Sequence, residues 1–419
     1  MMKFFVIIFL SASIFFSAFA QDDFVKVEKI GGRWYFIDRT GKPFIYKGVN
    51  HTNVAENHFK SKYGEENWKS EVEDDLIRLG FNGHGYQSEK FHSMNLKFYV
   101  LPQLLDISTY ANPYTYVDIF DPVEQNKIHN KIVEITGKYR DNHNLIGYMF
   151  TDIPSIQPRA PGSREPEDIN FNWVNFMRGL DGSAPGKTLY VEWLQNKYDN
   201  DINAFNEVYQ TSASSFKDLK ALNFEKPFTD VYSDDLEFIL IIVEKYYEFA
   251  SQVFREQDNN HLLIGDNYAE WFGNQTAIMD VAAKYVDVIS VQPNWRAPMK
   301  KTSFWDIIYN TTGKPIIISD FKLTHKIENG QEYYPPYETQ EEAGQLLLQY
   351  LEDFLSTEYM IGWNHCEYID EIEANGKIKQ GLYTVDGSPY RIYQDYVMQA
   401  NERISTFFGE NAYKTSIGN

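Results

Sequence analysis

The sequence predicts an α/β fold, a single (β/α)8 TIM barrel, and three observations predict it. Eight short apolar runs recur along the chain, each ending in polar residues. Stretches with helical spacing separate them, as the crossovers between parallel strands require. The 419 residues are 43% hydrophobic and 16% aromatic, which is ample for one large core.

Residues 1–20, MMKFFVIIFLSASIFFSAFA, read as a signal peptide with Ala18-Phe19-Ala20 before Gln21. The apolar stretch is broken by serines and short for a stable membrane span. No cysteine follows the cleavage site, so lipid attachment is not expected. The expectation is export to the periplasm or beyond the cell. Residues 21–43 then carry β-hairpin chemistry, with Gly31-Gly32 and Thr40-Gly41-Lys42-Pro43 between alternating aromatic runs.

The barrel is expected over residues 44–410, with a small N-terminal hairpin beneath or beside it. Its strands fall at Phe44–Asn50, Phe81–Tyr86, Phe98–Gln103, Leu145–Asp152, His261–Asn267, Val286–Gln292, Pro315–Asp320 and Tyr359–Glu367. Trp68, Val72, Leu76 and Leu79 lie at helical spacing. Thr339 caps another helix, with Glu342 three residues on. More than a hundred residues separate the fourth and fifth strands. This long helical insertion begins with a Pro-rich stretch and reads as an elaborated loop over the barrel mouth.

Lys and Arg total 39 against 59 Asp and Glu, a formal net charge of −20. Such a surface repels nucleic acid and anionic membrane, so neither is expected as a partner. Cys366 is the one cysteine, excludes an intramolecular disulfide and reads as core packing. The phosphate-binding glycine motifs, H-E-x-x-H and G-x-S-x-G are all absent, so no cofactor or metal is expected. Asp199–Asn203 (DNDIN) lacks the glycine and glutamate of a calcium loop. The sequence leaves the oligomeric state open.

In such barrels the C-terminal strand ends build the site. Here they offer Asn50, His51, His84, Tyr86, Gln103, Asp106, Asp152, Asp266, Asn267, Tyr268, Gln292, Asn294, Trp295, Asp320, Trp363, His365 and Glu367. Amides and carboxylates bond hydroxyls, and aromatic faces stack on sugar rings, so a carbohydrate is the expected partner. Asp152 and Asp320 end the fourth and seventh strands. A lone strand-end Asp often caps the next helix. Two of them across a barrel mouth suit glycoside hydrolysis, one as acid and one as nucleophile or base.

The chain resembles the clan A glycoside hydrolases, among them the β-agarase and bacterial β-galactosidase families. GGRWYFIDRTGKPFIYKGVNH, RLGFNGHG, LIGYMFTDIPS, NNHLLIGDNY, YVDVISVQPN, GKPIIISDF, YMIGWNHCEYID and GLYTVDGSPY carry the resemblance, in order along nearly all of the mature chain. It implies a secreted hydrolase of O-glycosidic bonds acting on galactose-type or algal galactan chains. It also implies Trp363 as the floor under the reacting sugar. Trp271 and Trp295 are candidate platforms, whereas Trp34, Trp173, Trp193 and Trp305 read as packing.

Those families place Asn-Glu at the end of strand four and Glu at the end of strand seven. Here the segments read Thr151-Asp152-Ile153 and Ser319-Asp320. Aligned without gaps, Ile153 falls on the acid position. Three accounts stay open. Two shorter carboxylates widen the gap by about 2–3 Å, toward inverting geometry. Alternatively, backbone shifts compensate and retention survives. In the third, the acid is lost and the protein is a carbohydrate-binding pseudoenzyme. Glu367 is the alternative acid.

Overall fold

A computed structural model of the protein describes residues 24–107, 115–156, 173–222, 232–269, 275–293, 302–327 and 330–417. The proposed signal peptide, most of the Pro-rich stretch, Trp271, Asn294 and Trp295 lie outside these residues.

Strand β1 (Lys26–Ile30) turns at Gly31 and Gly32 into β2 (Arg33–Ile37), and β2 pairs with β3 (Pro43–Phe44). Both turn glycines have positive φ, at 58° and 90°, which a β-carbon disfavours. The expected hairpin is thus a three-stranded sheet. It sits at the N-terminal end of the barrel. The Trp34 N–H donates to Glu358 O at 2.7 Å, and the Phe36 ring packs on Phe44 and Tyr46.

Eight parallel strands follow: β4 (Tyr46–Val49), β5 (Gly83–His84), β6 (Lys97–Val100), β7 (Leu145–Asp152), β8 (Leu262–Ala269), β9 (Ile289–Gln292), β10 (Ile316–Phe321) and β11 (Met360–His365). They close into a barrel in that order, with β11 beside β4. Each lies within, or one or two residues beyond, a run expected from the sequence. A short hairpin, β12 (Glu371–Ile372) and β13 (Ile378–Lys379), follows the last barrel strand.

Helices α1 (Glu56–Tyr63), α2 (Trp68–Arg78) and α3 (Pro122–Tyr139) belong to the first crossovers. Trp68, Val72, Leu76 and Leu79 are buried, as their spacing requires. The insertion supplies α4 (Trp173–Gly179), α5 (Pro185–Lys197) and α6 (Ile202–Tyr209) before α7 (Tyr232–Gln257). Arg178 is fully buried and forms an ion pair with Asp235 of α7, and Tyr209 donates to Asp234 at 2.9 Å. Trp173 donates to Val117 O at 2.9 Å. The insertion is therefore bound both to α7 and to the segment after β6. Asp201 caps α6, accepting from Asn203 N at 2.9 Å, so the DNDIN stretch serves as a helix start. Helices α8 (Thr276–Ala283), α9 (Thr302–Thr312), α10 (Gln340–Ser356) and α11 (Arg391–Ile417) complete the layer. Thr339 caps α10 as expected, accepting from Glu342 N at 3.1 Å.

Tyr46 lies across the barrel interior and donates to His84 O at 2.6 Å. It is accommodated by glycines: a β-carbon on Gly83 would stand 2.1 Å from its ring, and one on Gly48 2.7 Å away. Two register breaks lie above this layer. On β7 and β8, Met149 faces Gly265 and Asp152 faces Asn267, three steps against two. On β10 and β11, Ile318 faces Trp363 and Phe321 faces His365, again three against two. An extra residue in a strand turns the following side chains to the other face.

Candidate active site

The two register breaks aim the two carboxylates. Met149 points inward, with Ser290 Oγ 4.0 Å from its sulfur. Strict alternation would turn Asp152, three residues on, toward the helices. The bulge brings it to the interior instead, where Asn267 Nδ2 donates to its Oδ1 at 2.7 Å. Ile153 follows at φ 42°, a rare backbone state for a β-branched residue, and its N–H donates to Asn267 O at 2.9 Å. On β10, Ser319 donates inward to Asn267 Oδ1, Phe321 stacks outward on Tyr350, and Asp320 lies between them. The Tyr86 hydroxyl donates to Asp320 at 2.6 Å.

Asp152 and Asp320 are each 8% exposed, and each feels the other's charge. Burial pushes Asp152 up to about 7; the Asn267 hydrogen bond opposes this, and the charge of Asp320 adds to it. Among the described residues, neither carboxylate has a Lys or Arg within ion-pair distance. The two are therefore not held as structural salt bridges.

Several expected residues gather here. Gln292 is buried, and its Oε1 lies 3.4 Å from Asn267 Nδ2. Gln103 accepts from the Asp152 N–H at 2.8 Å and so positions the acid's backbone. His51, at φ 57°, has its ring edge-on to Tyr86. Burial holds its imidazole down to about 4, although Asp320 and Glu371 pull the other way. Glu367 is 1% exposed and faces Lys322 at 3.8 Å. Its pKa is raised by burial, with Lys322 opposing. Asn50 lies one layer lower, fully buried, and donates to Ser319 O at 2.8 Å, tying β4 to β10 beneath Asp320.

Four expected site residues face the helices instead. His84 stacks on Phe91 and points at Glu73 of α2, 3.8 Å away. The Tyr268 hydroxyl meets that of Tyr247 on α7. Trp363 is fully buried against Phe81, so it is no floor for a sugar. His365 lies by Tyr393 of α11, with Nδ1 on Glu367 O at 3.1 Å. The reason is strand parity. Asn267 and Asn364 hold the inward positions of β8 and β11, and their sequence neighbours must face out. Asp266 also faces α7, receiving a hydrogen bond from Tyr246 at 3.3 Å.

The barrel matches solved structures. One agarase superposes with a TM-score of 0.76 at 18% identity, covering 92% of this chain and 66% of its own. An exo-β-agarase gives 0.76 at 16%, covering 92% and 65%. A β-galactosidase from the psychrophilic Marinomonas ef1 gives 0.56 at 10%, covering 88% and 60%. The fold is that of the agarase barrels. At these identities the likeness establishes the fold, and the chain spans about two thirds of the length of those agarases. No family model matches the sequence, and no curated protein matches it.

The barrel mouth also holds groups that the strand-end reasoning passed over. Buried Lys322 follows the β10 bulge and donates to Gln380 O at 3.0 Å. Glu371 and Lys379 arrive on the β12–β13 hairpin, and Lys379 pairs with Glu373. The Asn375-Gly376 dipeptide was the available signal for that hairpin, and Gly376 has φ 79°. Cys366, expected in the core, is buried within the mouth, beside His51 and Glu367.

Proposed function

We propose that the protein is a secreted glycoside hydrolase that cleaves O-glycosidic bonds in galactose-type or algal galactan chains. One observation carries the reading. Two buried carboxylates, each presented by a bulged barrel strand, share one mouth, and burial keeps a proton on Asp152 up to about pH 7. In this reading Asp152 protonates the leaving oxygen as the glycosidic C–O bond breaks. Asp320, oriented by the Tyr86 hydroxyl, attacks the anomeric carbon or takes a proton from the attacking water. Asn267, Gln292 and His51 bond sugar hydroxyls around the pair.

The galactan assignment is supported by the fold shared with agarases and a β-galactosidase, and the export assignment by residues 1–20. Purified protein incubated with agar-type and other galactan oligosaccharides, with products resolved by mass, tests the reading. Proton NMR of the first-formed product distinguishes retention from inversion. Binding of these oligosaccharides with no cleavage of any of them would make the protein a carbohydrate-binding module. N-terminal sequencing of secreted protein is expected to begin at Gln21.

A further inference from the structure

We propose that His51, Cys366 and Glu367 form a binding site for one zinc-class divalent cation, seated beside Asp320. The three side chains come from the ends of neighbouring strands, β4 and β11. One imidazole nitrogen, the thiol sulfur and one carboxylate oxygen all lie within 4.8 Å of one another. All three residues are at least nine-tenths buried, at 8%, 6% and 1% exposure.

Two polar atoms of these residues stand idle, while the Cys366 thiol donates to Glu367 Oε1 at 3.7 Å. His51 Nδ1 and Glu367 Oε2 are buried without a hydrogen-bond partner. A buried polar atom left unpaired costs about 1–3 kcal/mol, and two such atoms on residues that cluster with a thiol call for an occupant. Lys322 does not occupy the place. It faces the other Glu367 oxygen, Oε1, at 3.8 Å, donates to the Gln380 carbonyl and lies over the Tyr334 ring.

The donor set selects the ion. Imidazole, thiolate and a single carboxylate suit zinc and its relatives, whereas calcium and magnesium take oxygen ligands. The charges also close: one thiolate and one carboxylate neutralise a divalent cation, so the filled cluster carries no net charge into a buried place. Binding releases the Cys366 proton to solvent, and affinity therefore falls as the solution is made acid. The Asp320 charge reaches the Cys366 thiol, so a bound cation stands near that carboxylate. Within the hydrolase reading, such an ion silences the site until it is withdrawn. Binding itself does not depend on that reading.

Cobalt(II) titration of the full chain tests the site without any turnover. One equivalent is expected to bind with a thiolate-to-cobalt charge-transfer absorption, and zinc is expected to displace it. Cys366→Ser should abolish the absorption. It should weaken zinc binding by more than the roughly 10–100-fold that changes outside the ligand shell produce. X-ray absorption of the zinc-loaded wild-type protein should place one sulfur at about 2.3 Å from the metal. This second measurement stands even if the variant fails to fold. The proposal is overturned if equilibrium dialysis finds no stoichiometric zinc on the wild-type chain, or if the bound zinc has no sulfur neighbour.

Discussion

The ends of β7 and β10 use the same backbone device in two chemical settings. At its C-terminal end each strand sets three steps against two of its partner, and each thereby turns an aspartate into the mouth. Around Asp152 the partners are neutral amides, from Asn267 and Gln103, and Met149, Phe150 and Ile153 are fully buried beside it. Around Asp320 they are a phenol, a thiol and an imidazole, with the Lys322 ammonium close enough to feel its charge. The first setting favours a neutral carboxyl at Asp152. Shape places the two groups, and their neighbours divide the work between them.

That division predicts unequal losses. Asp320→Asn removes the nucleophile or base and is expected to lower kcat by roughly 10⁴-fold or more on every substrate. Equal loss in both aspartate variants on all substrates would erase the distinction. Asp152→Asn should cost about 10²–10⁴-fold on natural chains but far less on aryl glycosides, whose leaving groups need little protonation. Kinetics on a nitrophenyl series measure this directly. Full activity in both variants would move the acid to Glu367.

A third change tests the amide's part. The Asn267 hydrogen bond lowers the Asp152 pKa, so its removal raises it. In the wild type, turnover should fall as pH rises through about 7, because the acid loses its proton there. In Asn267→Ala that limb should move to higher pH, and a pH–rate profile reads the shift.

The smallest expected effect on activity belongs to Asp266. Burial raises it to about 7 as well, but it faces α7. Its folded pKa lies above the unfolded value. Its contribution to stability is therefore present in acid and lost as pH rises through about 7. Asp266→Asn should leave the alkaline limb of turnover in place. It should also lessen the loss of stability between pH 4 and 8 by on the order of 1 kcal/mol, measured by urea unfolding.

The eight strands were legible because a parallel strand buried on both faces writes itself as a continuous apolar run. The facing of individual side chains was not legible for two reasons. A period of two shows which residues share a face, not which face is inside. Trp363 and His365 do share one, but it is the outer face. Glu367 continues their phase in sequence, yet the chain has left the strand by then and swings it into the mouth. The bulges at Asp152 and Asp320 shift the phase where it matters most, and an apolar pattern carries no mark of an extra residue. The glycines held a usable clue. Gly48, Gly83 and Gly362 lie on the inner face because Tyr46 fills the space beside them. Counting from Gly362 puts Asn364 inside and Trp363 outside.

Ile153 carries a consequence of its own. Its left-handed backbone costs on the order of 1–3 kcal/mol, and complete burial together with the hydrogen bond to Asn267 O hold it in place. Glycine at this position would relax the backbone, yet it would leave the preceding aspartate free to swing. Drift toward greater robustness therefore pulls against drift toward faster turnover at this one residue. A lineage that gave up the chemistry would have no reason to keep an isoleucine there.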